Sequence, residues 1–136
     1  MDAALLDTDL LSEILKQRDP IVVQKSSEYL QEHGQFSFSI FTRFEIARGY
    51  KEKRATRQLA KFNIFCRHSL VLPLTEMVFE RAEDLWALAR RGGHPSGDAD
   101  ILIAATALDS GLALATGNTT HYGWMPGLVL TNWRQP

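Results

Sequence analysis

The stretch at residues 98–107, DADILIAATA, sets the fold and the chemistry expected of this chain. Two carboxylates stand two residues apart, directly before a run with almost no other polar side chain. Burying a charged carboxylate is costly unless a partner compensates it. The apolar run predicts a helix that ends near Gly111, and one acid is enough to cap its start. The second acid needs another cause, and the rest of the chain points to a bound metal ion.

The segments on either side of this helix alternate between strand-like and helix-like patterns. Residues 112–115 predict a strand, which is followed by a polar stretch at 116–120 and a final strand at 128–130. The upstream strands are expected at 3–6, 36–39 and 69–72, and the upstream helices at 9–16, 20–34, 42–50, 55–65 and 75–91. This alternation predicts one α/β domain over residues 1–136, with a mainly parallel sheet covered on both faces.

The composition is that of a globular protein, with 136 residues, 45% hydrophobic and 23% charged. The net charge of −1 gives no bulk attraction for nucleic acid, so any such role needs a local basic patch. The single cysteine, Cys66, excludes an internal disulfide and a thiolate metal cluster, and we expect it to be a small buried hydrophobe. No signal peptide and no apolar run of ~18 residues is visible, so a cytoplasmic location without membrane contact is expected.

Several polar residues are predicted to meet at one rim of the sheet, where ligands of open parallel sheets bind. Each of them follows a strand or opens a helix at the carboxyl ends of the strands. These residues are Asp7, Glu45, Asp98, Asp100, Thr116 and Asn118.

Each of these residues also has a purely local interpretation. Asp7 and Asp98 are each placed to cap the helix that follows, and Asn118 suits a turn. Glu45 completes the capping-box spacing with Thr42, in which the acid bonds back to the cap residue. The exposed first turn of a helix would explain Asp9 equally well. The shared location, rather than any one residue, favours a site.

Electrostatics gives the shared location a chemical meaning. Two carboxylates ~4 Å apart repel by ~4 kcal/mol at an effective dielectric constant of ~20. Such a cluster raises its pKa values or is neutralised by a divalent cation, and oxygen ligands without His or Cys suit Mg²⁺ or Mn²⁺. These ions activate water and stabilise charge on a phosphoryl group. The residues therefore indicate hydrolysis of a phosphate ester.

Four segments carry a family resemblance: LLDTDLLSEIL (5–15), SIFTRFEIARGY (39–50), GDADILIAATALDSGLALATGNTTHY (97–122) and PGLVLTNW (126–133). Together they resemble the PIN-domain ribonucleases, and among them the toxin half of VapBC-type toxin–antitoxin modules. The resemblance implies a three-layer α/β/α sandwich, Mg²⁺ or Mn²⁺, endonucleolytic cleavage of RNA, a cognate antitoxin and a homodimer.

The same resemblance implies roles for individual residues. Asp7, Glu45 and Asp100 match the metal-binding acids, Asp98 is a secondary acid, and Thr116 matches a small hydroxyl residue after the fourth strand. The chain departs from the family pattern at Asp9, where Asn is common, and at Asn118, where a fourth acid is expected. The neutral amide removes one negative charge from the expected site.

Other side chains are candidates for contact with RNA. Seven basic residues lie between positions 43 and 61, and they either meet phosphates or form a solvated helix face. Four aromatic or imidazole side chains near the rim either stack on bases or pack locally. These are His94, His121, Tyr122 and Trp124. Trp86, by contrast, is expected in the core.

Two other functions fit parts of the pattern. In a haloacid-dehalogenase-like phosphatase, Asp7 would be the nucleophile and Asp9 an acid, but the acids at 98–100 precede the ATGN segment, the reverse of the order expected. In a non-catalytic module, the acids would serve only as helix caps, and the basic segment would bind RNA or protein.

Overall fold

A computed structural model describes all 136 residues and shows five strands and seven helices. The first half of the chain forms β1 (Ala4–Leu6), α1 (Thr8–Lys16), α2 (Pro20–His33), β2 (Ser37–Ser39), α3 (Ile40–Glu52), α4 (Thr56–Arg67) and β3 (Leu70–Leu72). The second half forms α5 (Glu76–Gly92), α6 (Asp98–Ser110), β4 (Ala113–Thr116), α7 (Thr119–Tyr122) and β5 (Leu130–Asn132).

All strand pairs of the sheet are parallel, in the order β3-β2-β1-β4-β5. The chain moves outward from β1 through β2 to β3, and then crosses back to place β4 on the other side of β1. The strand order therefore reverses between β1 and β4. The carboxyl ends of these two strands border the crevice where ligands of open α/β sheets bind.

The core lies on both faces of the sheet, which confirms the three-layer α/β/α sandwich. Side chains alternate along each strand, so that Ala4 and Leu6 join one apolar cluster and Leu5 the other. The first cluster packs beneath α1 to α4, and the second beneath α5 and α6. Cys66 is 7% exposed within the first cluster, as expected of a small buried hydrophobe.

Helix α6 begins one residue earlier than a cap at Asp98 would require. Gly97 holds the cap position, and no side chain caps the helix, so Asp98 lies in the first turn. The capping box that was the local alternative for Glu45, with Thr42 as the cap, is absent. Helix α3 begins at Ile40, and the Ser39 hydroxyl accepts the Phe41 N–H at 3.0 Å. Glu45 is thereby free for a long-range partner.

Two further sequence predictions need correction. Trp86 is not in the core: it is 44% exposed, and the Arg90 guanidinium lies 4.6 Å from its ring centroid. The polar stretch at 116–120 runs into the short helix α7, which the sequence did not predict because four residues show no helical period. No helix of the chain combines the length and the apolar character that a membrane crossing requires.

Tyr29 ties α2 to the central strand. Its hydroxyl accepts the Ala4 N–H at 3.0 Å and faces the Ala4 carbonyl at 3.3 Å, and the residue is 2% exposed. Tyr29→Phe should lower the free energy of unfolding by about 1–3 kcal/mol, because the buried Ala4 N–H loses its partner. Urea denaturation measures this loss.

Tyr50→Phe is the matched control, because the Tyr50 ring contacts Phe62 while its hydroxyl makes no hydrogen bond within the chain. This variant should unfold within about 0.5 kcal/mol of the wild type. Equal destabilisation by the two substitutions would show that the Tyr29–Ala4 bonds contribute nothing specific.

Candidate active site

Asp7 joins the end of β1 to the start of α1 and is 5% exposed. Its backbone N–H donates to the Ala115 carbonyl at 3.0 Å, which extends the pairing of β1 with β4. Its Oδ1 accepts the Leu10 N–H at 2.7 Å and so caps α1. The cap that the sequence offered as an alternative is therefore present, and it holds the carboxyl at the crevice.

Burial raises the pKa of Asp7 from 3.8 to about 6. Hydrogen bonds from the Thr116 side chain and from Leu10 favour the charged form but offset only part of this effect. The negative charges of Asp9 and Asp100 raise the pKa further. Asp7 is thus a buried carboxyl that other acids approach closely enough to influence.

Asp100, in the first turn of α6, is held by both of its carboxylate oxygens. The Tyr122 hydroxyl donates to Oδ1 at 3.0 Å, and His121 Nε2 lies 3.1 Å from Oδ2. Tyr122 is buried, and this burial together with the charges of Asp100 and Asp7 raises its pKa, so its hydroxyl keeps the proton that it donates. The two contacts fix the orientation of Asp100.

Asn118 reaches Asp100 through the imidazole of His121. Asn118 Nδ2 lies 3.2 Å from His121 Nδ1, and Thr120 Oγ1 donates to Asn118 Oδ1 at 3.0 Å. A neutral imidazole with its proton on Nε2 accepts from Asn118 and donates to Asp100 at the same time. The amide that replaces an expected acid therefore acts on the site through an intermediate side chain.

Thr116 ends β4 and is fully buried beside Asp7. Its Oγ1 accepts the Asn118 N–H at 3.0 Å, which leaves the hydroxyl proton for the Asp7 carboxylate. Thr116 thus links the carboxyl ends of β1 and β4, the two strands that border the crevice.

Glu45 bonds to the residue next to Asp7 rather than to Asp7 itself. Thr8 Oγ1 donates to Glu45 Oε1 at 2.7 Å, and because that uses its only proton, Thr42 Oγ1 donates to Thr8 at 3.0 Å. Arg48 lies 3.8 Å from the other carboxylate oxygen. Glu45 stands at the same rim as Asp7, with one residue between them.

Asp98 and Asp9 lie outside this arrangement of side chains. Asp98 is exposed and lines a separate groove with Phe79 and Trp86 of α5. Asp9 is exposed on α1, where its charge influences Asp7 without a hydrogen bond. Of the two acids that open α6, the structure brings only Asp100 to the crevice.

The donor chemistry of the site fits a hard divalent cation, although no three acidic, His or Cys side chains meet closely enough to form a ready-made metal site. Asp7 and Asp100 are two oxygen donors at the crevice, and the charge of Asp100 opposes ionisation of buried Asp7. A divalent cation between them would relieve that repulsion. Glu45 would join as a third ligand only by leaving Thr8.

Three residues of the site have roles that the sequence did not suggest: Thr8, His121 and Tyr122. The two on α7 were considered only for stacking or packing. Their common signal is position, because each follows a strand that ends at the crevice. Thr8 and His121 could have been predicted from the sequence because they lie close to Asp7 and Asn118. Their partners, Glu45 and Asp100, could not.

Asp7→Asn should make the protein more stable at pH 8, by about 1–3 kcal/mol. The folded-state pKa of Asp7, about 6, lies above its ordinary value of 3.8, so ionisation opposes folding. This penalty grows as pH rises through that window and is complete above it. The gain should therefore disappear near pH 4, whereas the cap remains, since Asn caps as well as Asp. Urea denaturation at both pH values, in EDTA, measures the difference.

The matched control is Asp84→Asn on the exposed side of α5. It should change stability little at either pH, because Asp84 makes no ion pair or hydrogen bond within the chain. If Asp7→Asn destabilised the protein equally at pH 4 and pH 8, ionisation of Asp7 would not lower the free energy of unfolding, and the prediction would be wrong.

Solved structures with this fold include chains of toxin–antitoxin complexes. VapBC2 from Rickettsia felis, bound to a DNA fragment from its promoter, matches with TM-score 0.84 and 21% identity over 96% of this chain and 98% of that chain. DNA-bound VapBC from Salmonella typhimurium matches with TM-score 0.85 and 24% identity over 98% and 99%. A toxin–antitoxin complex from Klebsiella pneumoniae matches with TM-score 0.67 and 24% identity over 93% and 95%.

At these identities the likeness establishes the fold. No curated protein sequence matches the chain. The family model described as the PIN domain matches residues 4–122, which include both acids of the crevice. The match covers most of the chain and agrees with the fold, and we conclude that the chain belongs to the PIN-domain family.

Proposed function

We propose that this protein is a metal-dependent endoribonuclease and the toxin of a toxin–antitoxin pair, acting in the cytoplasm. The observation that carries the proposal is the buried carboxyl of Asp7 at the point where the strand order reverses, with Asp100 near enough for its charge to act on Asp7. PIN domains are in general nucleases, and a paired-acid site at this crevice is the part of the fold suited to that chemistry.

The proposed ion is Mg²⁺ or Mn²⁺, with Asp7 and Asp100 as ligands and Glu45 as a third. When bound, the ion would lower the pKa of water and stabilise negative charge on the phosphoryl group. Tyr122 and His121 orient Asp100, and Thr116 and Leu10 hold Asp7. The protein therefore contributes to metal binding by holding in place two carboxylates that repel one another.

The remaining predicted residues take supporting roles in this proposal. Thr116 positions Asp7, and Asn118 positions Asp100 through His121. Asp98 would contribute only long-range charge, because its side chain lines a different groove. A cognate antitoxin is proposed because structures with this fold include VapBC and toxin–antitoxin complexes. A homodimer is proposed from the family resemblance alone.

A cation at the rim supports a nucleic-acid substrate. Arg134 follows β5, whose Asn132 pairs in register with Thr116, so it lies at the same edge as Asp7. Its side chain packs directly over Gly117, where a Cβ would overlap it, and it makes no ion pair. An unpaired guanidinium held beside the crevice suits a backbone phosphate. Arg43, in the first turn of α3, is exposed but lines a separate groove with the end of α4 and the start of β3.

The two other functions gain no observation from the structure. Asp9 is exposed and makes no hydrogen bond to Asp7, which does not favour the acid and nucleophile pair of a phosphatase. A binding module would not need Asp7 and Asp100 at the same crevice, but cleavage assays decide between it and an enzyme.

Purified protein with Mn²⁺ or Mg²⁺ should cleave RNA, and EDTA should abolish cleavage. Asp7→Asn and Asp100→Asn should each lower the cleavage rate at least about 100-fold, since each removes a ligand charge. Mn²⁺ should also raise the melting temperature of the wild type, because an ion that binds only the folded state stabilises it. Both variants should lose this shift.

Asp84→Asn is again the exposed control and should cleave RNA like the wild type. Asp98→Asn should lose less activity than Asp100→Asn. An absence of cleavage with either ion, together with no thermal shift, would favour the binding module. A phosphorylated Asp7 trapped with a phosphomonoester would instead favour the phosphatase.

Arg134→Gln should weaken RNA binding uniformly across sequences. A side chain that neutralises one phosphate contributes about 0.7–0.9 to the slope of log K against log salt, so the slope should fall by about one. Fluorescence anisotropy measures the affinity and its salt dependence, over a range of roughly 50 to 300 mM KCl that brackets physiological salt. The Asp7→Asn background prevents cleavage during the measurement.

Gly117→Ala should reproduce the effect of Arg134→Gln, because the new Cβ displaces the Arg134 side chain. Gly49→Ala is its control, since a Cβ there meets nothing within 4 Å. Arg18→Gln is the charge control, as Arg18 lies past the far end of α1, about 13 Å of helix away from the rim. Equal losses from Arg18→Gln would mean that only net charge matters.

A further inference from the structure

A cavity of about 260 Å³ lies beside the acid pair, between the loop that precedes α6 and the segment from α7 to Trp124. We name it the His94–Trp124 cavity. The residues that line it and enter the argument are His94, Ser96, Asn118, Thr120, His121 and Trp124. None of its lining residues is Arg or Lys, so a phosphate would find no cation there.

The aromatic wall of the cavity is a stacked pair. The rings of His94 and Trp124 lie 4.5 Å apart between centroids and are parallel to within 4°. The His94 ring also packs over Gly92, because a Cβ there would come within 2.8 Å of His94 Cδ2. Trp124 is backed by the second apolar cluster. The wall is therefore held from both sides, and the parts of the two rings that remain exposed line the cavity.

The polar side of the cavity holds a buried hydroxyl without a partner. Ser96 Oγ is buried and makes no hydrogen bond within the protein. Such a group is destabilising unless another molecule bonds to it. Thr120 Oγ1 donates to Asn118, and it keeps its lone pairs for a donor. Rotation about the Ser96 χ1 would turn its shielded hydroxyl toward the cavity, where a ligand that carries both donors and acceptors along one edge would satisfy both hydroxyls.

The cavity also borders the proposed catalytic centre. His121 lines the cavity with its ring, and its Nε2 lies 3.1 Å from Asp100 Oδ2. A group bound in the cavity is thus separated from a proposed metal ligand by a single side chain. This proximity suits the nucleotide next to the bond that is cut.

We propose that the His94–Trp124 cavity binds one unstacked nucleobase of the RNA, adjacent to the scissile phosphate. The inference rests on the proposed ribonuclease function and adds to it a site that selects the cleaved position. A nucleobase is flat, uncharged and edged with hydrogen-bonding groups, which matches an aromatic wall, no cation and free hydroxyls. The volume lies just under the ~300 Å³ at which pockets for larger ligands begin.

An abasic scan of the substrate tests the site without altering the protein. An RNA oligonucleotide that the wild type cuts once is remade with a single abasic ribose at each of the positions flanking the cut. One position should lower kcat/KM roughly 5- to 150-fold, the effect of losing one base–aromatic stack, and the others far less. Equal effects at all positions would overturn the proposal.

Variants then locate the effect in this cavity. Trp124→Ala should lower kcat/KM for the intact RNA and remove its sensitivity to the abasic position. Ser96→Ala, which deletes only the unpaired hydroxyl and keeps the fold, should change the preference among the four bases at that position. Trp86→Ala, an exposed tryptophan on α5, is the matched control and should keep the wild-type pattern.

Failure of this proposal differs from failure of the proposed function. If the wild type cuts RNA but Trp124→Ala and Ser96→Ala retain its abasic sensitivity and base preference, the base lies elsewhere and the nuclease stands. If the wild type cuts no RNA, the nuclease fails, and the cavity is judged by binding alone. The affinity for the same oligonucleotides should then show one sensitive position, and a uniform affinity would reject the cavity as well.

Discussion

The site of this PIN domain depends on the burial of one carboxyl group, that of Asp7, at the carboxyl end of the central strand. The group caps α1, receives a hydrogen bond from β4 through Thr116, and is influenced by the charge of Asp100. Only a parallel sheet whose strand order reverses at β1 brings these neighbours together, because β4 must return beside β1 after two strands have been laid on the other side. The topology thus creates both the crevice and its electrostatic conflict.

The fold holds Asp7 and Asp100 by hydrogen bonds and pairs neither of them with a lysine or an arginine. Asp7 is held by a backbone N–H and a threonine hydroxyl, and Asp100 by a tyrosine hydroxyl and an imidazole. A fixed lysine or arginine would have neutralised the pair permanently and reduced its affinity for a divalent ion. The observed hydrogen bonds orient the carboxylates without a lysine or arginine that would cancel their charge. The pKa of Asp7 stays raised, at about 6, because these hydrogen bonds offset only part of the effect of burial.

Around the acid pair, the rim divides into regions of different chemistry. Arg134 over Gly117 supplies positive charge beside β5, whereas the His94–Trp124 cavity on the α6 and α7 side is uncharged and aromatic. The positive region suits the phosphates of a nucleic-acid strand, and the aromatic region suits its bases. Under the proposed function, the strand would cross the acid pair with its backbone toward the first region and one base in the second.

The sequence by itself determined the alternation of strands and helices, the parallel sheet and the rim at which Asp7, Thr116 and the acidic start of α6 meet, because these follow from apolar periodicity and from residues next in the chain. It did not determine which of two acids at the start of α6 faces the crevice. Residues 98 and 100 differ by about 200° around a helix, so the choice depends on how α6 docks. The partner of Glu45, the exposure of Trp86 and the clamp on Asp100 were likewise decided only by the tertiary structure, since each depends on contacts between elements or on a short helix without a period.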